Sequence, residues 1–414
     1  MKPVRLHIEQ PQRQDGQITL AATLEHPDGP ELRLWWRLGE EWSDALTTWA
    51  DPFVVGFVFP IMQWGRDVAV DGRVSPSLLE NLETYMEIWR RWAPDKYQAV
   101  HIQANREVEA PAPPEPGQTV TPFSCGMDSS FTVLQHRDGL AGRRRRNVTA
   151  GVVMNGFDVW LDQPNAAGIY GEMLASARCM LTSKQVDCIP MASNFHDLPV
   201  IWGHAFGTHL VSGLGLLAGR FDSALIPTGV DYISLFIRSG DNPLIDRYIS
   251  SSHFQISDDG NDVGRVLKAE ALSQWPEAMR HLRVCYSNRV SHTNCCKCEK
   301  CIRVVTAFRI SGSPIPQAFR HEITDRQIRR LRLKRSIYKT AWRKLIVEID
   351  KRGLWENSWA RAIRTAVRRN RIRWIKARLT RRFLPIRNRI RTLLRGSPLS
   401  RSELSQQSAE DRRP

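Results

Sequence analysis

The stretch "VTPFSCGMDSSFTVL", residues 120–134, sets two apolar runs on either side of a loop built from small and hydroxylated residues. It reads as a buried strand turning into the first turn of a helix. At such a turn the unpaired backbone N–H groups and the positive end of the helix dipole favour an anion. Gly126 lets the backbone come close to a ligand, and Ser124, Ser129 and Ser130 add hydroxyl donors. A phosphate is the natural guest. The plain alternative is a helix N-cap, where Ser and Asp are preferred whether or not anything binds.

The surroundings favour binding. Downstream of residue 117, strand-like segments "TVTPFS", "VTAGVVMN", "QVDCIPM", "SALIPTG" and "LRVCYS" alternate with helical stretches. That alternation predicts an α/β fold with a doubly wound parallel sheet, in which ligands sit beyond the carboxyl ends of the strands. The loop follows the first of these strands. Upstream, "ITLAATLEH", "LRLWWRL" and "DPFVVGFVF" read as strands and "SPSLLENLETYMEIWRRW" as a helix opening on a Ser-Pro signal. Residues 1–109 are therefore expected as a small α+β domain, holding seven of the fourteen tryptophans. Residues 110–117, "APAPPEPG", have four prolines in eight and read as a linker to a domain spanning 118–320.

Charge is unevenly distributed along the 414 residues. The chain carries a formal +16, yet residues 324–414 alone hold 28 Lys/Arg against 7 Asp/Glu, a net +21 that leaves −5 for the rest. A basic helical extension over 321–395 and a disordered tail over 396–414 are expected. The extension places apolar Ile372, Ile375, Leu379, Phe383, Ile386 and Ile390 at three- and four-residue spacing among arginines. Three readings of it stay open: docking on the body, a nucleic-acid grip, or a foothold on an anionic membrane through residues 361–395. The first residues lack the apolar core of a signal peptide, so a cytoplasmic location is expected. The uncharged run Leu198–Gly219 is long enough to span a bilayer, but His204, His209 and five glycines favour a buried helix. No transmembrane segment is expected.

Cysteines supply the second constellation. In "VCYSNRVSHTNCCKCEKCIR", Cys295, Cys298 and Cys301 recur every third residue and Cys285 precedes them. Four thiolates so spaced suit a tetrahedral metal site. Zinc in a structural role is the first reading, an iron–sulfur cluster the competitor. A third element is the helical pattern "DVGRVLKAEALSQW", residues 262–275, whose Lys268 can reach a phosphate.

Taken in this order, the three elements resemble the PP-loop ATP pyrophosphatase superfamily, and most closely its 7-cyano-7-deazaguanine synthase-like branch. The resemblance covers residues 117–312. The family loop reads S-G-G-x-D-S, matched by Ser124, Cys125, Gly126, Met127, Asp128 and Ser129, with Cys125 in place of the first glycine. Lys268-Ala-Glu270-Ala271 matches the later lysine helix. Cys285-Tyr286 with Cys295, Cys298, Cys301 and Arg303 matches the zinc signature C-G-x-C-x-x-C, with Cys296 in place of the glycine. The branch's substrate element, S-G-Y-P-D-C, is missing, and "TGVDYISLFIRSGDNPLIDRY" keeps only Gly229 and Asp231 as an echo.

The resemblance implies binding of ATP with Mg²⁺, loss of pyrophosphate, and transfer of AMP to a substrate oxygen that a nitrogen nucleophile then displaces. Asp128 and Lys268 would be the catalytic residues, with Ser124 to Met127, Ser129 and Ser130 around the phosphates and Val153, Met154 and Asn155 beside adenine. Candidates for the small-molecule substrate are Asp231, His253, Asp258, Asp259 and Arg303. Alternative readings are a tRNA-modifying enzyme of the same superfamily and a non-catalytic ATP-binding regulator.

Overall fold

Eleven strands join into one sheet in the computed structural model, which describes residues 2–375 apart from 230, 231, 233, 234, 236, 286–289, 334 and 335. In chain order they are β1 (Val4–Ile8), β2 (Gln12–Gln14), β3 (Gln17–Glu25), β4 (Glu31–Gly39), β5 (Val68–Val74), β6 (Ile102–Glu107), β7 (Thr119–Pro122), β8 (Val148–Asn155), β9 (Asp187–Ser193), β10 (Ser223–Pro227) and β11 (Gln255–Asp259). Across the sheet they run β11-β10-β7-β8-β9-β4-β3-β1-β5-β6, with β2 beside β3. Strands β11 to β9 in that order are all parallel. The fold is thus mixed α/β on a large, mostly parallel sheet.

The helices that matter for the site are α1 (Asp51–Trp64), α2 (Pro76–Trp92), α3 (Met127–Arg137), α4 (Ala166–Ser183), α5 (Trp202–Gly215), α6 (Arg265–Leu272), α7 (Pro276–His281) and α8 (Glu299–Ser311). Helix α5 lies inside the apolar run 198–219, and its glycines bring it against its neighbours. A Cβ on Gly213 would meet the Trp36 ring at 2.6 Å. His204 Nδ1 pairs with the Tyr97 hydroxyl at 2.9 Å, and His209 Nδ1 donates to the Ala205 carbonyl at 2.7 Å, so both are core polar groups. No helix among the described residues is long and apolar enough to cross a membrane.

Three readings of the sequence need correction. "DPFVVGFVF" forms helix α1, entered through Pro52 in its first turn and buried from Pro52 to Met62; a run apolar on every side carries no period by which to tell strand from helix. "LRVCYS" contributes no strand among its described residues. The Arg283 N–H goes to the Cys125 carbonyl and that of Val284 to Asn294 Oδ1, both outside any ladder. The fifth parallel strand is instead β11, in the polar segment that supplies the expected substrate residues Asp258 and Asp259.

The segments read as separate domains, 1–109 and 118–320, share one sheet. β4 pairs antiparallel with β9, Trp36 opposite Ser193 and Leu38 opposite Met191, and one apolar core runs through both. The chain divides into two compact units, residues 1–323 and 324–414. In the second, α9 (Asp325–Arg329) opens on a capping box between Thr324 and Gln327 and is followed by α10 (Ser336–Lys351) and a helix over residues 358–375. Buried Asn370 clamps this unit, donating to the Leu331 and Ala366 carbonyls and accepting from Leu333 N–H. Of the apolar stripe, Ile372 and Ile375 are exposed; Leu379, Phe383, Ile386, Ile390 and the tail 396–414 lie outside the described residues.

Candidate functional site

The order β11-β10-β7-β8-β9 reverses direction between β7 and β10, because the chain moves from β7 to β8 and β9 on one side and returns to β10 on the other. A crevice at such a switch point, beyond the carboxyl ends of the strands, is where parallel sheets bind ligands. Residues 123–126 leave β7 into it, and Thr228 and Gly229 leave β10.

The loop is held by its own hydroxyls. Ser124 N–H donates to Ser129 Oγ at 3.3 Å, Gly126 N–H to Ser124 Oγ at 3.3 Å, and Ser129 Oγ to the Gly126 carbonyl at 3.3 Å. Cys125 takes φ +56°, a left-handed conformation that favours glycine, and its side chain is fully buried against the Met173 carbonyl of α4. Burial pushes its thiol far up, so it is no nucleophile. Ser130 Oγ is buried and has no hydrogen-bond partner among the described residues. A buried hydroxyl without a partner needs explaining, and a water or a bound acceptor would each supply the explanation.

Asp128, in the first turn of α3, meets two cations from α6. Lys268 Nζ stands 2.8 Å from Asp128 Oδ1 and Arg265 Nη2 stands 3.6 Å from Oδ2. Burial would raise the pKa of Asp128, but the charges of Lys268 and Arg265 outweigh it and hold the carboxyl well below the usual range. Lys268 is almost wholly buried; its ammonium also donates to the Thr228 carbonyl at 3.1 Å and lies 5.5 Å from the Phe131 ring centroid. Arg265 Nη1 contacts the Met127 sulfur at 3.5 Å. Arg303, on α8, ion-pairs with Glu299 at 2.9 Å and feels the charges of both Arg265 and Asp128. The site is therefore a cluster of three cations, ion-paired with Asp128 and Glu299, beside a loop of hydroxyls. Arg265 escaped the sequence reading, although its place one turn before Lys268 sets both on one helix face.

Other expected residues fare differently. Val153 and Met154 are buried in the sheet, and the Val153 carbonyl already accepts the Tyr170 hydroxyl at 2.8 Å. Asn155 ends β8 with its Oδ1 buried and unpartnered among the described residues. Asp259 is committed to the fold: it accepts Thr132 Oγ1 at 2.6 Å and meets His136 Nε2 at 3.1 Å, fastening β11 to α3. Asp258 belongs to a carboxyl cluster with buried Asp246 and half-buried Asp241. Burial is the main cause that raises Asp258 to about 7 and Asp241 to about 6, and it drives Asp246 up as well. His253 lines a groove of about 470 Å³ with Arg145, Asn147 and Ser223, at the opposite ends of the strands. Asp259 is thus committed to the fold and His253 lies away from the carboxyl ends of the strands, whereas Asp258 stays near the carboxyl end of β10, opposite Ile226, and Asp231 lies outside the described residues.

The sulfur atoms of Cys285, Cys295, Cys298 and Cys301 all lie within 4.8 Å of one another and can hold a metal ion such as zinc. Backbone N–H groups point at them: those of Lys297 and Cys298 at Cys295 Sγ, 3.4 and 3.3 Å, and that of Cys301 at Cys298 Sγ, 3.4 Å. Cys285 and Cys298 stand 3.8 Å apart, the separation that a tetrahedron of bonds of about 2.3 Å imposes. Cys296, the fifth thiol, turns the knuckle at φ +53° and points away, buried, toward the Asn294 carbonyl.

Comparison of this chain with protein-family models, with curated proteins and with solved structures finds no match.

Proposed function

We propose that this protein is an ATP-using, AMP-forming ligase or synthase of the PP-loop type, acting on a small molecule at the carboxyl ends of β7 and β10. The observation that carries the reading is the left-handed turn at Cys125, set at the switch point, together with the Ser130 hydroxyl that has no partner among the described residues and the ion pairs of Asp128 with Lys268 and Arg265. Strands β7, β8, β9, β10 and β11 stand in the spatial order 3-2-1-4-5, which supports a doubly wound sheet. The two departures from the family motifs support the same register. Cys125 and Cys296 replace glycines of those motifs, and each adopts the positive φ that a glycine is used for.

On this reading Ser124, Ser129, Ser130 and the backbone N–H groups of the loop hold the β and γ phosphates, while Lys268 and Arg265 offset their charge. Asp128 is the carboxylate placed to hold Mg²⁺, which binds proteins through one or two carboxylates together with phosphate oxygens. When bound, the metal offsets charge on the phosphates. A carboxylate or amide oxygen of the substrate attacks the α-phosphorus, pyrophosphate leaves, and a nitrogen nucleophile then displaces AMP. Asn155, whose Oδ1 is buried at the end of β8 without a partner among the described residues, is the side chain this reading assigns to adenine. The Cys₄ site has no position left for a reacting group, so its zinc is structural. Sulfurs within 4.8 Å suit one ion between them and leave no room for a multi-iron cluster.

Product analysis tests this. Incubated with ATP, Mg²⁺ and a panel of carboxylates, amides and tRNA, the protein should release AMP and pyrophosphate. Asp128→Ala should abolish release, by about three orders of magnitude or more, while its far-ultraviolet spectrum stays that of the wild type. ADP as the nucleotide product would overturn the assignment.

A further inference from the structure

We infer that the outward face of the helix at residues 358–375 grips the phosphodiester backbone of a nucleic acid. The helix is two-sided. Ala360, Ala362, Ile363, Ala366 and Asn370 are buried, whereas Arg361, Arg364, Arg368, Arg369 and Arg371 are exposed and follow one another at one- to four-residue steps on the opposite side. No Asp or Glu occurs from residue 357 to 375. Like charges at helical spacing repel by a few tenths of a kcal/mol per pair, so this face is unfavourable until an anion covers it.

Among the described residues none of these arginines ion-pairs with a carboxylate. Arg361 donates to the Glu356 carbonyl at 2.6 Å, Arg369 donates to the Arg329 carbonyl at 3.2 Å, and Arg364 stacks on Trp355 at 3.9 Å. None of these partners is a carboxylate. Each guanidinium is a planar fork of five donors, and one contact to a carbonyl or ring leaves N–H groups for phosphate oxygens. From Arg361 to Arg371 the helix rises about 15 Å, the length over which one strand of a duplex presents about four phosphates. Two features separate a nucleic acid from a lipid surface. The outward side over residues 358–371 carries no large apolar side chain to insert, and the exposed Ile372, Trp374 and Ile375 come only in the last turn. An aromatic beside guanidinium groups serves a base as readily as a lipid, and an arginine row with no exposed large apolar side chain along it has charge for a phosphodiester backbone but nothing to bury in a bilayer.

Binding of the full chain to a labelled 20-nucleotide single-stranded RNA and to a DNA duplex of the same length tests the inference, with phosphatidylserine vesicles as the competing surface. Five phosphate contacts predict that affinity for at least one nucleic acid falls roughly a hundredfold or more between 50 and 200 mM salt. The double variant Arg368→Gln/Arg371→Gln should weaken binding and flatten the slope of log affinity against log salt by about 1.4 to 1.8, and Arg368→Lys/Arg371→Lys should keep the slope. Arg368 and Arg371 are exposed, and an unchanged helical spectrum verifies that the unit stays folded. A salt-independent complex, no complex with either nucleic acid, a slope untouched by the Gln pair, or binding to vesicles alone would overturn the inference.

Discussion

The loop at Cys125 and the knuckle at Cys296 use one backbone device for opposite ends. In both a buried cysteine adopts φ near +55°, which turns nearby N–H groups toward acceptors within the turn. In the loop those groups are met by Ser124 and Ser129 hydroxyls, which can rotate away when a better acceptor arrives. In the knuckle they are met by Cys295 and Cys298 sulfurs, which repel one another as thiolates unless a cation joins them. The loop's Ser124 and Gly126 N–H groups are thus satisfied within the loop, leaving only the Ser130 hydroxyl unmet among the described residues, whereas the knuckle's four sulfurs need a cation between them.

Metal removal should expose that difference most strongly. Structural zinc in small domains is worth about 10–16 kcal/mol of apparent binding free energy, most of it realised as folding. A strong chelator should therefore melt the segment around Cys285 to Cys301 and lower the thermal midpoint of the first unit. Elemental analysis should find about one zinc per chain before treatment and none after. Hydrogen exchange should show the amides of 295–301 losing protection first, with those of α3 following later. Loss of protection in the β7–α3 turn ahead of the knuckle would break the comparison.

Acidity acts on the loop side. Thr228, whose carbonyl holds Lys268, donates its hydroxyl to Asp241 at 3.4 Å, and Asp241 lies electrostatically beside Asp246 and Asp258. Burial raises all three carboxyls, Asp241 to about 6 and Asp258 to about 7, so the folded chain keeps protons that the unfolded chain has released by about pH 4. Their contribution to stability falls as pH rises from about 4 to about 7, at no more than about 1.4 kcal/mol per unit for each group. Buried His209 and His292, lowered to about 4 and about 3 by burial, have the opposite sign, since the unfolded chain takes up protons below about 6.5. Asp128, with its pKa depressed, loses its contribution only below about pH 4. The difference between wild type and Asp258→Asn separates these effects. Urea midpoints should favour the variant increasingly from pH 5 to 7 and level off above; a difference independent of pH would remove the carboxyl cluster from the account.

How much of this was legible follows from where the signals lie. The loop, Lys268 and the four cysteines could be read because their chemistry is concentrated in short runs with fixed spacing. Arg265 was within reach on the same helical reasoning. The fifth strand was hidden because "QISDD" places two carboxylates in a strand, and only the partners Thr132 and His136 across the fold make Asp259 compatible with burial. The joining of the first 109 residues to the main sheet rests on three paired positions between β4 and β9, far apart in sequence and with nothing local to announce them.

The smallest expected effect asks whether the two cysteines are tolerated replacements for glycine. A non-glycine residue in the left-handed region costs about 1–2 kcal/mol. Cys125→Gly and Cys296→Gly relieve that cost, but each also empties a buried side-chain position and adds freedom to the unfolded chain, worth about 1 kcal/mol in the other direction. Both variants should stay within about 1 kcal/mol of the wild type in urea unfolding. Cys125→Val and Cys296→Val should each lose about 2 kcal/mol or more, because a β-branched side chain at positive φ is a genuine outlier. Zinc content should survive Cys296→Gly, since that sulfur points at the Asn294 carbonyl and not into the Cys₄ cluster. AMP release should survive Cys125→Gly within about twofold, because its thiol is turned from the crevice toward α4. A Gly variant at either position that loses 3 kcal/mol, its metal or its turnover would mean that the cysteine side chain, and not the backbone it adopts, is what that turn requires.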